Sequence, residues 1–204
     1  MIISVTNFCQ NIGKSTIVIY LAKYLIKQNY FNEINIIDGS DDQLLMTKFK
    51  SEESSIPEKI YVDVITKDNI AFISNLEILL KLKEQNKLYI VDLKPDFEFS
   101  MLNLLKYSDA IISPFASDDQ IIQSSIEFGK LMNLINVRVH FVNNFYTQTV
   151  IYDKTLVNEL MRYGNVVDSP ISFTKNVNQS FLTVFNDELI FKKAFEQLSI
   201  SIFN

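Results

Sequence analysis

Met1-Ile-Ile-Ser-Val-Thr-Asn7, followed closely by Asn11-Ile-Gly-Lys-Ser-Thr16, is the stretch whose reading decides the fold. Ile2, Ile3 and Val5 make a short apolar run suited to a buried strand. Val18, Leu21, Ala22 and Leu25 then recur at i, i+3, i+4 and i+7, the period of an amphipathic helix. The chain therefore passes from strand to helix across residues 7 to 14, with Gly13-Lys14-Ser15 at the junction. A nucleoside triphosphate needs converging backbone N–H groups, an ammonium on its β and γ oxygens, and a hydroxyl on its magnesium, which Gly13, Lys14 and Ser15 supply in order. Gly-Lys-Ser alone also suits a surface turn; the flanking strand and helix favour the phosphate-binding reading.

Working outward, Glu33-Ile-Asn-Ile-Ile-Asp38 predicts a second strand that ends in an acid. Asp38 would then lie at the carboxyl edge of a parallel sheet, where ligands sit in open α/β folds. The alternative is a plain Asp38-Gly39 turn. Lys59 to Ile65 predicts a third strand, and Leu88-Tyr-Ile-Val-Asp92 a fourth whose terminal carboxylate would reach magnesium opposite Lys14 and Ser15. Ser108 to Pro114 and Val137 to Asn143 read as further strands, and Val166 to Ile171 as a last short one around Pro170. Helices are predicted over 42–50, 69–85, 117–134, 153–163 and within 181–203, with a polar loop over 51–55. Asp118 and Asp119 suit the positive end of the 117–134 helix. Strands alternating with helices through short connections predict an α/β fold, a largely parallel twisted sheet with helices on both faces.

At 204 residues and 48% hydrophobic content the chain suits one domain, 1–204, with a sizeable core. One cysteine excludes an intrachain disulfide, and no apolar run reaches the roughly 18 residues that span a bilayer. With a strand at the very start there is no sign of a leader peptide, so a cytoplasmic protein without membrane contact is expected. A net charge of −5 argues against a broadly basic nucleic-acid surface and leaves a local patch open. His140 is the only histidine, lies in an apolar run and has no ligand at metal spacing, so it reads as structural.

The full G-x-x-x-x-G-K-[ST] pattern fails because Phe8 holds the first glycine's place. What stands there resembles the deviant Walker A loop of the ParA/MinD family, K-G-G-x-G-K-[ST], with Cys9, Gln10 and Asn11 in place of Lys-Gly-Gly. Of these, Asn11 adopts the left-handed region at modest cost, Gln10 less readily. Asp38-Gly-Ser-Asp-Asp-Gln43 is similar to the family's D-x-D-P-Q segment, with Ser40 in the second acidic position and Asp41 offset by one. Leu88 to Asp92 has the Walker B form, Leu93-Lys-Pro95 resembles the turn after it, and Ser108 to Pro114 resembles the family's next strand. Together these motifs cover roughly residues 1 to 145.

The resemblance implies a P-loop NTPase-like domain that takes ATP and Mg2+. It assigns the phosphate loop to Asn11, Ile12, Gly13, Lys14, Ser15 and Thr16, the metal to Ser15 and Asp92, and the chemistry to Lys14 and Asp38. Asn143 falls where the family has an adenine-binding asparagine, with Asn144 next to it. The family's first loop lysine reaches a partner's phosphates in a nucleotide-sandwiched dimer; Cys9 carries no such charge, and Ser40 supplies no carboxylate. Binding with weak or slow ATP hydrolysis is therefore expected. The implied role is an ATP-binding switch in plasmid or chromosome DNA partition or cargo positioning, with a nucleotide-dependent homodimer and a partner of the centromere-binding type. Non-specific DNA contact would fall to Lys175, Lys192 and Lys193, which read equally as surface lysines among Asp187, Glu188 and Glu196. The alternative is a degenerate, non-hydrolysing interaction module, favoured by Cys9, Gln10, Asn11 and Ser40; a ligase of the dethiobiotin-synthetase type finds no substrate motif.

Overall fold

Strand β1, Ile2–Val5, is buried along its whole length, as suits a strand covered on both faces, and its one polar side chain, Ser4, shares a hydrogen bond with the Ser108 hydroxyl at 2.7 Å. The computed structural model describes residues 1–39, 45, 60–64, 78, 81, 87–94, 99–144, 153–171 and 188–203. Around β1 stand β2 (Ile34–Asp38), β3 (Ile60–Val64), β4 (Leu88–Asp92), β5 (Ala110–Phe115), β6 (Val139–Asn143) and β7 (Asn165–Val166). They form one sheet in the order β3-β2-β4-β1-β5-β6-β7, with every pairing parallel. The predicted fold class holds.

Parallel neighbours need crossovers, and the helices that make them cover both faces. Helices α1 (Lys14–Lys27) and α5 (Glu188–Phe203) pack on Ile3, Val5, Ile36, Ile90 and Val142. On the opposite face α2 (Phe99–Tyr107), α3 (Asp119–Leu134) and α4 (Lys154–Leu160) pack on Ile2, Ile37, Val91, Ile111 and Phe141. The residues of β1 divide between the two cores, as the two-residue period of a strand dictates. Asp118 caps α3, its carboxylate accepting from the Gln120 and Ile121 amides at 3.0 and 3.1 Å.

Two expectations need correction. Helix α2 was not predicted; its buried stripe is only Met101, Leu104 and Leu105, too short a run to declare a period. The last strand is Asn165–Val166, not Val166 to Ile171. Val167 N still donates to Phe141 O at 2.9 Å and Ile171 N to Asn143 O at 2.8 Å, but Pro170 has no N–H and cannot extend a regular ladder. The helices expected over 42–50 and 69–85 and the polar loop over 51–55 fall almost wholly outside the described residues.

Gly164 leads into β7 where the backbone runs close to β6. A Cβ there would lie 2.6 Å from Val139 O and 2.6 Å from a Phe141 ring carbon. Gly164→Ala is expected to cost about 1–3 kcal/mol of stability through overpacking, read as a lowered denaturant midpoint; an unmoved midpoint would contradict the close approach.

Candidate functional site

The sheet order puts β1 between β4 and β5, so the chain leaving β1 emerges where the connections diverge, the crevice position in open α/β sheets. Pairing persists just beyond the strand: Leu93 N donates to Val5 O and Thr6 N to Ile112 O, each at 3.0 Å. Asn7 follows, fully buried, and its Nδ2 donates to Pro114 O at 2.6 Å and lies 3.2 Å from Ser125 Oγ. Its Oδ1 accepts from the Cys9 amide. A single side chain thus ties the start of the loop to β5 and α3.

The loop then turns through two left-handed residues, Asn11 at φ 56° and Gly13 at φ 79°, on either side of Ile12. Asn11 adopts the conformation expected of it, and Gln10 keeps a negative φ, so only one of the two non-glycine replacements bears strain. Phe8 packs edge-on against Phe128 of α3, ring centroids 5.4 Å apart, and Gln10 is exposed to solvent.

Helix α1 starts at Lys14 with Gly13 as a cap that offers no side chain, and its first turn contains no acidic residue. Its first amides and the positive end of its dipole are thus left to an external anion. Lys14 Nζ donates to Cys9 O at 2.8 Å, folding back across the loop. Burial holds the Lys14 pKa below the usual lysine value, opposed by the nearby Asp92 carboxylate and Cys9. Ser15 Oγ donates to Asp92 Oδ2 at 2.5 Å. Thr16 is half-buried in the same turn.

Across the sheet Asp92 stands in register with Asp38 on β2 and with Val5 on β1. Gly39 N donates to Asp92 O at 2.9 Å, so the ends of β2 and β4 are locked together. Both carboxylates are buried, at 0% and 2% exposure. Among the described residues no three His, Cys, Asp or Glu side chains form a self-sufficient metal cluster. One carboxylate with one hydroxyl, completed by phosphate oxygens and water, is however the donor set that magnesium takes. The residues present therefore fit Mg2+ held jointly with a polyphosphate.

The structure thus brings Lys14, Ser15, Asp38 and Asp92 to one sheet edge beside the 11–16 loop. Asn143 does not reach the loop: its Nδ2 donates to Ser117 Oγ at 3.0 Å. Asn144 does, its Nδ2 donating to Ile12 O at 2.8 Å. The role of Asn7 was missed, because a lone amide after a strand carries no local signal. Ser40, Asp41, Gln43, Pro95 and Lys175 lie outside the described residues. Lys192 and Lys193 are exposed on α5 with exposed Glu196 one turn on. Among the described residues no helix is long and apolar enough to cross a membrane.

No family model matches the chain, and no curated protein matches it in sequence. Solved structures do. A plasmid partition protein from Borrelia burgdorferi bound to AMPPNP superposes with a TM-score of 0.75 at 18% identity, over 98% of each chain. The MinD cell division protein of Aquifex aeolicus gives 0.70 at 12% identity, over 97% of this chain and 96% of that one. A ParA family ATPase from Chlorobium tepidum gives 0.68 at 13%, over 96% of each. At such identities the likeness establishes the fold, the parallel sheet covered by helices on both faces that the ParA and MinD structures share.

Proposed function

We propose that this chain is a ParA-type switch that binds Mg-ATP, dimerises on it, and positions DNA or another cargo through a partner that senses the bound state. One observation carries this: the Ser15 hydroxyl and the Asp92 carboxylate meet at 2.5 Å at the open head of α1, beside the Lys14 ammonium. Lys14 would exchange the Cys9 carbonyl for β and γ phosphate oxygens, gaining charge-assisted bonds in place of a neutral one. The amides of Asn11 to Thr16 would take the remaining phosphate oxygens. Ser15 and Asp92 would hold the Mg2+, which neutralises phosphate charge when bound. Asp38, in register with Asp92, would orient water or pass the phosphate state to the loop after β2. Asn143, held by Ser117, would keep a second amide N–H for the base. With Cys9 and Ser40 in place, turnover is slow.

The likeness in fold to an AMPPNP-bound partition protein supports this reading. Calorimetry with Mg-ATP, followed by sizing with and without nucleotide, tests it. Binding accompanied by dimerisation upholds the switch. No binding at millimolar Mg-ATP would instead support a degenerate interaction module, which Cys9 in the family's lysine position favours.

Asp92→Asn keeps the shape and removes the charge. Its ATP affinity in magnesium should drop roughly tenfold or more, and its affinity in chelator should stay near that of the native protein. Equal losses in both conditions would remove Asp92 from the metal.

A further inference from the structure

We infer that Asn144 is a positioning residue that sets the phosphate loop by holding one peptide plane, an inference that rests on the phosphate-binding reading above. The loop's own chemistry leaves that plane undetermined. Ile12 lies between two left-handed residues, and Gly13, with no Cβ, takes either sign of φ with ease, so the Ile12–Gly13 peptide can turn over at little cost. One orientation offers the Gly13 N–H to an anion; the other presents the Ile12 carbonyl oxygen, which would repel it.

Asn144 chooses between them. Its Nδ2 donates to Ile12 O at 2.8 Å, and both residues are nearly closed to solvent, at 4% and 3% exposure. Water therefore offers the carbonyl little alternative, and an unmade bond there would be costly. In a trans peptide the C=O and N–H point in opposite directions, so drawing the Ile12 oxygen toward Asn144 turns the Gly13 N–H the other way. Successive amides around left-handed residues then form the concave nest that suits an oxyanion. The clamp is itself rigid, because Asn144 N donates to Phe115 O at 2.7 Å and so fixes the residue to β5. Its neighbour Asn143 is engaged elsewhere, on Ser117. Asn144 thus acts on phosphate through the loop.

The test compares Mg-tripolyphosphate, Mg-ATP and adenosine as probes of the full chain and of Asn144→Ala, with the Gly13 amide followed by NMR. Tripolyphosphate and ATP should each bind roughly tenfold more weakly to the variant, adenosine should be unchanged, and the Gly13 amide shift that tripolyphosphate causes in the native protein should shrink. Unchanged tripolyphosphate binding, or a loss confined to ATP and adenosine, would overturn the assignment and leave the switch reading standing. Should the native chain bind neither tripolyphosphate nor ATP, both readings fail together. If Asn144→Ala does not fold, the native protein decides: its Asn144 side-chain amide protons should exchange slowly and move with tripolyphosphate, and fast exchange would refute the clamp.

Discussion

Lys14→Ala is expected to lose Mg-ATP binding by about 100- to 1000-fold, leaving little to measure by calorimetry at ordinary concentrations. The size follows from where the ammonium sits. It is partly buried, holds Cys9 O at 2.8 Å, and lies close enough to Asp92 to feel its charge. A phosphate entering that space would meet a cation already desolvated and positioned, so the interaction is worth far more than an exposed ion pair. Burial, the largest influence, pulls the Lys14 pKa down, whereas bound phosphate would push it up. Nucleotide affinity should therefore fall as pH rises through the lowered value, with proton uptake on binding in that range. Removing the side chain also removes its desolvation cost, so the thermal midpoint should barely move. An ATP affinity in Lys14→Ala equal to that of the native chain would sink the proposed function.

Acid should destabilise the protein through His140. The side chain is fully buried against α5, where Ser201 Oγ lies 3.2 Å from Nδ1, and Nε2 has no partner among the described residues. Burial, and secondarily the charge of Arg138, lower its pKa from 6.5 to about 4. The unfolded chain therefore binds a proton near pH 6.5 that the folded chain refuses until about pH 4. This contribution to stability is fully present above pH 6.5 and drains away as the pH falls toward 4, by about 3 kcal/mol. His140→Leu should lack that portion of the acid dependence. Denaturant unfolding of both proteins from pH 7 to pH 4 measures it; parallel curves would mean that the imidazole is not buried neutral.

Some of this was legible in the chain. The apolar run of β1, the helical period from Val18 to Leu25 and the Gly-Lys-Ser between them specify strand, turn and helix within one local window. The acids at Asp38 and Asp92 close apolar runs of strand length, so both had to lie at the same edge of a parallel sheet. Asn11 could be assigned its left-handed backbone because that preference belongs to the residue itself.

Other features depend on partners far along the chain. Asn7 reaches Ser125, Asn144 reaches Ile12, and Phe8 finds Phe128, contacts that arise only once α3 and β6 are stacked beside β1. Asn143 and Asn144 show the limit most plainly. Two identical amides stand side by side, and nothing in their sequence says which one turns to Ser117 and which to the loop. Periodicity, propensity and motif spacing are properties of neighbours, so the sequence alone determined β1, α1, β2 and β4 with the loop and acids at their ends, while α2 and the extent of β7 took their form from packing. The aim of each polar side chain was decided by the tertiary structure, because a buried donor takes whichever acceptor the packed core brings within reach.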